Sequence, residues 1–273
     1  MMQRVALRPR CVGGSEARDS VPARPRIGAP EPRPHASSRR AALGASAALG
    51  AVAAVGVVGA GAAVAAGVAP AGIVKESPQA LTRRGMKAFQ RNRLDESLEC
   101  FDRVLELSPG SRPYMWQRGL TLYYLRRFEE GAQQFRADVA VNPNDTEEAI
   151  WTFLCEAQLP GGALKARENF LRVGEDSRPV MRAAYAAFMD GCGPGPILEA
   201  AGADKGGRDR FYALLYHGLY HEAEGDDLSA QRSILAAAMT PYARHSGDYM
   251  AALSRVHCVR RGWAPPAAFE NDL

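Results

Sequence analysis

The 273 residues are 47% hydrophobic, enough for a sizeable core, and carry a formal charge of +4. That charge is unevenly placed: residues 1–40 hold nine Arg against three acidic residues, whereas 75–273 hold 25 basic and 27 acidic ones. The part able to fold is therefore slightly acidic and lacks the basic footprint of a nucleic-acid-binding domain, so no nucleic-acid partner is expected.

Residues 1–40 are rich in Arg, Pro, Ser and Ala and show no hydrophobic periodicity. They read as a transit peptide, disordered, of the kind that targets a protein to an organelle. From Ala41 to Val74 no charged residue occurs, and Arg39-Arg40 stand directly before that run. A twin arginine before an uncharged stretch resembles a Tat-type export signal. Ala69-Pro70-Ala71 then supplies a small-x-small cleavage pattern, so the mature chain is expected to begin near Gly72. The alternative is a transmembrane segment over 41–74, since eighteen or more uncharged apolar residues suffice to span a bilayer. The Gly and Ala content favours the cleaved signal, because Gly weakens a helix. A basic prefix followed by a twin-arginine signal resembles the bipartite presequence of thylakoid-lumen proteins. Lumenal residence in the chloroplast is expected from it, with a bacterial periplasm or a thylakoid membrane as alternatives.

Beyond Ser77 the pattern is helical and repeats. Gly85 and Gly119, Phe101 and Phe135, and Pro109 and Pro143 are each 34 residues apart. Arg93-Leu94-Asp95-Glu96 and Arg127-Phe128-Glu129-Glu130 keep the same interval. Leu94, Leu98, Phe101 and Leu105 follow helical spacing, as do Phe128, Ala132, Phe135 and Val139. Each Pro is placed to end a second helix. A 34-residue period of helix–turn–helix units resembles the tetratricopeptide (TPR) family. Two repeats are expected over 75–145, as units 78–111 and 112–145. Degenerate TPR-like helices should follow over 146–262, then a C-terminal tail at 263–273. The fold class implied is all-α: a right-handed α-solenoid of helix–turn–helix repeats with an irregular C-terminal part.

In the later part, Glu147 to Val173 reads as two helices around a turn at Pro160-Gly161-Gly162. Asn169 falls where the repeat needs a large residue, so the phase slips there. A helix is predicted over Pro179 to Met189, a loop over 191–196 and a short helix at Ile197 to Ala201. Phe211 to Ala238 returns to the repeat pattern, and a last helix covers about Asp248 to Arg261. This order of parts, with Ala149-Ile150-Trp151 after the repeats and a later unit opening at Phe211-Tyr212, resembles NlpI-type bacterial lipoproteins and the TPR proteins of chloroplasts and thylakoid lumens. That resemblance implies a protein-binding adaptor whose partner is another protein, such as a processing protease or a photosynthetic assembly client. The lipidated cysteine of the NlpI type is lacking near the cleavage pattern, so its membrane anchor does not carry over. A membrane contact is expected only where residues 41–74 stay uncleaved.

In the TPR family the first helix of each repeat lines a concave groove. The matching positions here give an aromatic stripe of Phe89, Trp116, Tyr123, Trp151 and Tyr216. The protein-binding residues expected from it are Arg83, Trp116, Gln117, Tyr123 and Trp151: aromatic rings for contact area, Arg83 and Gln117 for hydrogen bonds. The same rings could instead fill the space between repeats. The Lys and Asn pattern of carboxylate-clamping repeats is absent, Glu147 having the wrong charge for it.

His217 and His221 have the i, i+4 spacing of a helical metal pair, yet no third ligand is indicated, and packing on the helix is the reading the spacing favours. No metal and no cofactor is therefore expected. None of the five cysteines forms a C-x-x-C pair, and the spacing leaves open whether Cys192 and Cys258 are joined. With no P-loop, dinucleotide fingerprint or G-x-S-x-G, no catalytic residue is assigned and the protein is not expected to be an enzyme.

Overall fold

The computed structural model describes residues 76–203 and 207–264. The expected transit peptide and the uncharged segment 41–74 lie outside the described residues. Every regular element described is helical: α1 Pro78–Gln90, α2 Leu94–Leu107, a 3-10 helix Pro109–Tyr114, α3 Trp116–Tyr124, α4 Phe128–Val141, α5 Thr146–Glu156, α6 Gly162–Glu168, α7 Pro179–Asp190, α8 Gly195–Ala200, α9 Arg208–Ala223, α10 Asp227–Ala238, α11 Pro241–His245 and α12 Tyr249–Arg260. Among the described residues no helix is long and apolar enough to cross a membrane.

The local signals that start these helices are polar caps. Ser77, Asp145, Asp226, Thr240 and Asp248 each accept a backbone N–H of the helix that follows, satisfying donors with no partner inside the helix. Pro78 occupies the first turn of α1, where its missing N–H costs nothing.

One turn recurs between consecutive helices. Asn92, Arg126 and Gly225 adopt φ of 57°, 62° and 80°. The next residue then donates back to the last turn of the helix: Arg93 N to Ala88 O at 2.8 Å, Arg127 N to Leu122 O at 2.9 Å and Asp226 N to His221 O at 2.8 Å. This left-handed cap reverses the chain within a few residues. Only Gly225 takes this φ without a steric cost, so Asn92 and Arg126 are held there by the packing of their hairpins. Gly262, with φ of 69°, ends α12 in the same way, Trp263 N donating to Cys258 O at 2.8 Å.

Seven residues before each of the three hairpin turns stands a buried glycine, and sixteen residues after that glycine stands a large apolar side chain. A Cβ on Gly85 would lie 2.7 Å from Phe101 Cε1, and one on Gly119 would lie 2.6 Å from Phe135 Cζ. A Cβ on Gly218 would run into Ile234. Phe101, Phe135 and Ile234 are fully buried. The pairs α1–α2, α3–α4 and α9–α10 are thus antiparallel hairpins closed by the same contact. Neighbouring hairpins are joined by smaller polar contacts, such as Ser97 Oγ to Thr121 Oγ1 at 3.1 Å between α2 and α3.

Near Asn169, where the sequence reading expects the phase to slip, the helical pattern breaks off. Helix α6 spans only Gly162–Glu168, and the chain then runs without helix to Arg178. Tyr185 pins that segment, donating to Leu171 O at 3.0 Å and accepting from Val173 N at 3.2 Å. Phe170, one residue past the repeat position, packs against Phe153 and Tyr185. The buried Glu147 carboxylate then ties three elements together: it accepts from Arg178 at 2.8 Å and from Tyr216 on α9 at 2.9 Å. The periodicity missed the 3-10 helix Pro109–Tyr114 and α11, both shorter than two α-helical turns. Cys258 is a free, buried thiol, so it is not joined to Cys192.

If the glycine-to-ring contact sets the hairpins, Phe135→Ala should cost about 3–5 kcal/mol of unfolding free energy. Gly119→Ala should cost about 1–3 kcal/mol by overpacking, although Ala is the better helix former. Denaturant titrations measure both. A Gly119→Ala variant as stable as the parent would show that the close approach is not needed.

Candidate functional site

The five side chains expected to bind a partner sit on α1, α3 and α5. Arg83 on α1 is exposed, and Trp116, the first residue of α3, is half-buried. Gln117 is 3% exposed, Tyr123 2% and Trp151 0%. The structure brings Tyr123 and Trp151 together edge to face, with ring centres 5.2 Å apart. Phe135 stacks on the far side of Trp151 at 6.3 Å. An open groove at Gln117, Tyr123 and Trp151 is therefore not what the described conformation offers. In it only Arg83 and part of Trp116 reach solvent.

What covers the face is α12. Tyr249, its first residue, stacks on Phe89 of α1 with centres 5.1 Å apart and meets Trp116 edge to face at 5.2 Å. Two turns on, His257 Nδ1 and Tyr124 OH lie 2.9 Å apart. At the end of the helix, Arg260 donates to Tyr124 O at 3.4 Å and Arg261 to Tyr123 OH at 3.5 Å. Trp116 and Tyr124, at the two ends of α3, thus meet Tyr249 and His257 of α12 through their rings. Gln117 Oε1 and Trp151 Nε1 are buried without a hydrogen-bond partner among the described residues. A buried group left so costs about 1–3 kcal/mol.

A buried polar cluster fastens the far end of α12. His257 is fully buried, and its Nε2 lies 3.5 Å from Glu222 Oε2 on α9. The other oxygen of Glu222 pairs with Arg261. Burial alone would raise the Glu222 carboxyl, but the neighbouring His257 and then Arg261 outweigh it and hold it down at about 2. The arrangement is a carboxylate clamped between two basic side chains of one helix, with Tyr124 completing it. It works as a latch between α9 and the end of α12.

Sequence reasoning did not single out Tyr124, Glu222, Tyr249 or Arg261, and it takes His257 as a structural residue of the last helix, where it is indeed buried. One signal was available: Tyr249 to Cys258 has no solvent-facing polar stripe, and every residue in it is buried. A helix without a polar face is an internal helix. Among the described residues no group of three or more His, Cys, Asp and Glu is placed to hold a metal ion. No protein-family model matches the chain.

The latch has a pH signature. Because the Glu222 carboxyl is held below its ordinary value of 4.5, its contribution is fully present above that value and is lost as pH falls toward 2. Glu222→Gln should therefore lower the unfolding midpoint at neutral pH, and the gap from the parent should narrow between about pH 4.5 and 2. A gap that stays constant over that range would mean the carboxylate is not held by His257 and Arg261.

Proposed function

We propose that the folded part is a short right-handed α-solenoid of TPR-like hairpins that serves as a protein-binding scaffold, and that its binding face is the one α12 covers. The observation that carries this reading is that the expected groove already takes a helix. Trp116, Tyr123 and Tyr124 make ring and hydrogen-bond contacts with Tyr249, His257 and Arg261 of α12. A partner segment with an aromatic residue at one end and basic residues two to three turns on would find the same contacts. It could also satisfy Gln117 Oε1 and Trp151 Nε1, which α12 leaves unpaired. The three recurrences of the glycine-to-large-residue contact and its left-handed turn support the TPR-like reading, although the spacing between the second and third departs from multiples of 34.

The export reading of residues 1–74 completes the proposal. The scaffold would work in the thylakoid lumen, or in a bacterial periplasm if the twin-arginine run acts alone. Its partner would be a lumenal protein such as a processing protease or an assembly client. If residues 41–74 are retained, the same face would instead be tethered at a membrane.

Arg83 and Trp116 test the scaffold separately from its stability. With a partner in hand, Arg83→Ala should weaken binding severalfold while shifting stability by no more than about 0.5 kcal/mol, as exposed substitutions do. Trp116→Ala should weaken it further, and hydrogen exchange in Tyr249–Arg260 should rise on binding. Unchanged affinity in both variants, together with unchanged exchange in α12, would place the partner elsewhere.

A further inference from the structure

His217 and His221 stand on α9, beside α10. Their spacing alone suggests packed helix histidines; the structure adds how each ring is held. His217 Nδ1 lies 2.8 Å from Ser233 Oγ on α10. His221 Nδ1 lies 3.2 Å from Asp226 Oδ2 at the cap of α10. Each ring is thus anchored through its δ nitrogen by a hydroxyl or a carboxylate, the arrangement that orients metal-binding imidazoles. Among the described residues, the contacts of both rings run through their δ nitrogens and none through the ε nitrogens. Both side chains are partly exposed, His221 to 22%.

The ring centres are 4.6 Å apart with their planes at 58°, so the two side chains are within reach of one ion, as i, i+4 helical histidines are. Imidazole suits copper and nickel, and Cu(II) binds nitrogen sites most strongly of the divalent series.

We propose that His217 and His221 form a two-imidazole chelate for a divalent copper- or nickel-type ion, with Ser233 and Asp226 as positioning residues. No third His, Cys, Asp or Glu of the described residues converges on the pair, so water fills the remaining positions. Such a site is open to a further ligand and is independent of the protein-binding face.

The test uses the full chain and the metal alone. Cu(II) titrated calorimetrically should bind with a component of one equivalent, and its paramagnetic resonance spectrum should show two imidazole nitrogens. His217→Ala and His221→Ala should each weaken that component at least tenfold, and the double variant should abolish it. Metal should raise the parent's unfolding midpoint but not the double variant's. Ser233→Ala should weaken binding less than loss of either histidine. Should the double variant misfold, His221→Gln, which keeps a side chain of similar reach, takes its place. One-equivalent binding that survives in the double variant, or no binding by the parent, would overturn the proposal.

Discussion

The fold depends on a bare Cα on one helix meeting a large side chain on the next. Gly85 against Phe101, Gly119 against Phe135 and Gly218 against Ile234 let paired helices approach more closely than any residue with a Cβ would permit. Each contact stands a fixed seven residues before a left-handed turn, so the turn and the packing determine each other. Fully burying a side chain the size of Phe contributes about 1.5–3 kcal/mol. The close approach also fixes the direction in which the first helix of each pair faces. Trp116, Tyr123 and Tyr216 consequently point into one shared interior.

That interior explains why α12 lies where it does. Phe89, Tyr123, Trp151 and Tyr216 are large rings that a short array of helices cannot leave in water without exposing a broad apolar patch. Helix α12 covers part of it with Tyr249 and a run of small residues. Glu222, His257 and Arg261 then hold the far end with charge. The two ends of the contact differ in kind: rings at Tyr249, an ionic latch at His257 and Arg261. Removing either partner of a buried ion pair is costly because the other is left uncompensated. The latch therefore specifies position more than it adds stability.

Much of this was legible in the sequence, for physical reasons that can be named. The 34-residue interval located both early hairpins, because the glycine and the ring must recur together for the pair to close. The start of the last helix near Asp248 was read from the sequence, whereas the caps at Asp145 and Asp226, though local, were not used. The slip at Asn169 was visible, but not its cause, since the Tyr185 hydroxyl that pins residues 171–173 acts across the fold. Of the two readings the sequence left open for the rings, contact with a partner or packing between helices, the described conformation shows Tyr123 and Trp151 packed. Tyr249 and His257 lie more than 120 residues from Trp116 and Tyr124, and no local pattern announces that pairing. The His217 and His221 rings illustrate the same limit: spacing gave the pair, whereas Ser233 and Asp226 gave its orientation.

The central claim is that α12 behaves as a ligand of the face it covers. A protease site inserted between Ser246 and Gly247 would separate α12 from the rest of the chain without removing it. Fluorescence anisotropy of a labelled peptide of residues 248–264 then measures exchange into the cleaved protein. Saturable binding, weakened at least tenfold by Trp116→Ala, is the predicted result. A cleaved chain that loses α12, keeps its unfolding midpoint and fails to take up the peptide would contradict the account.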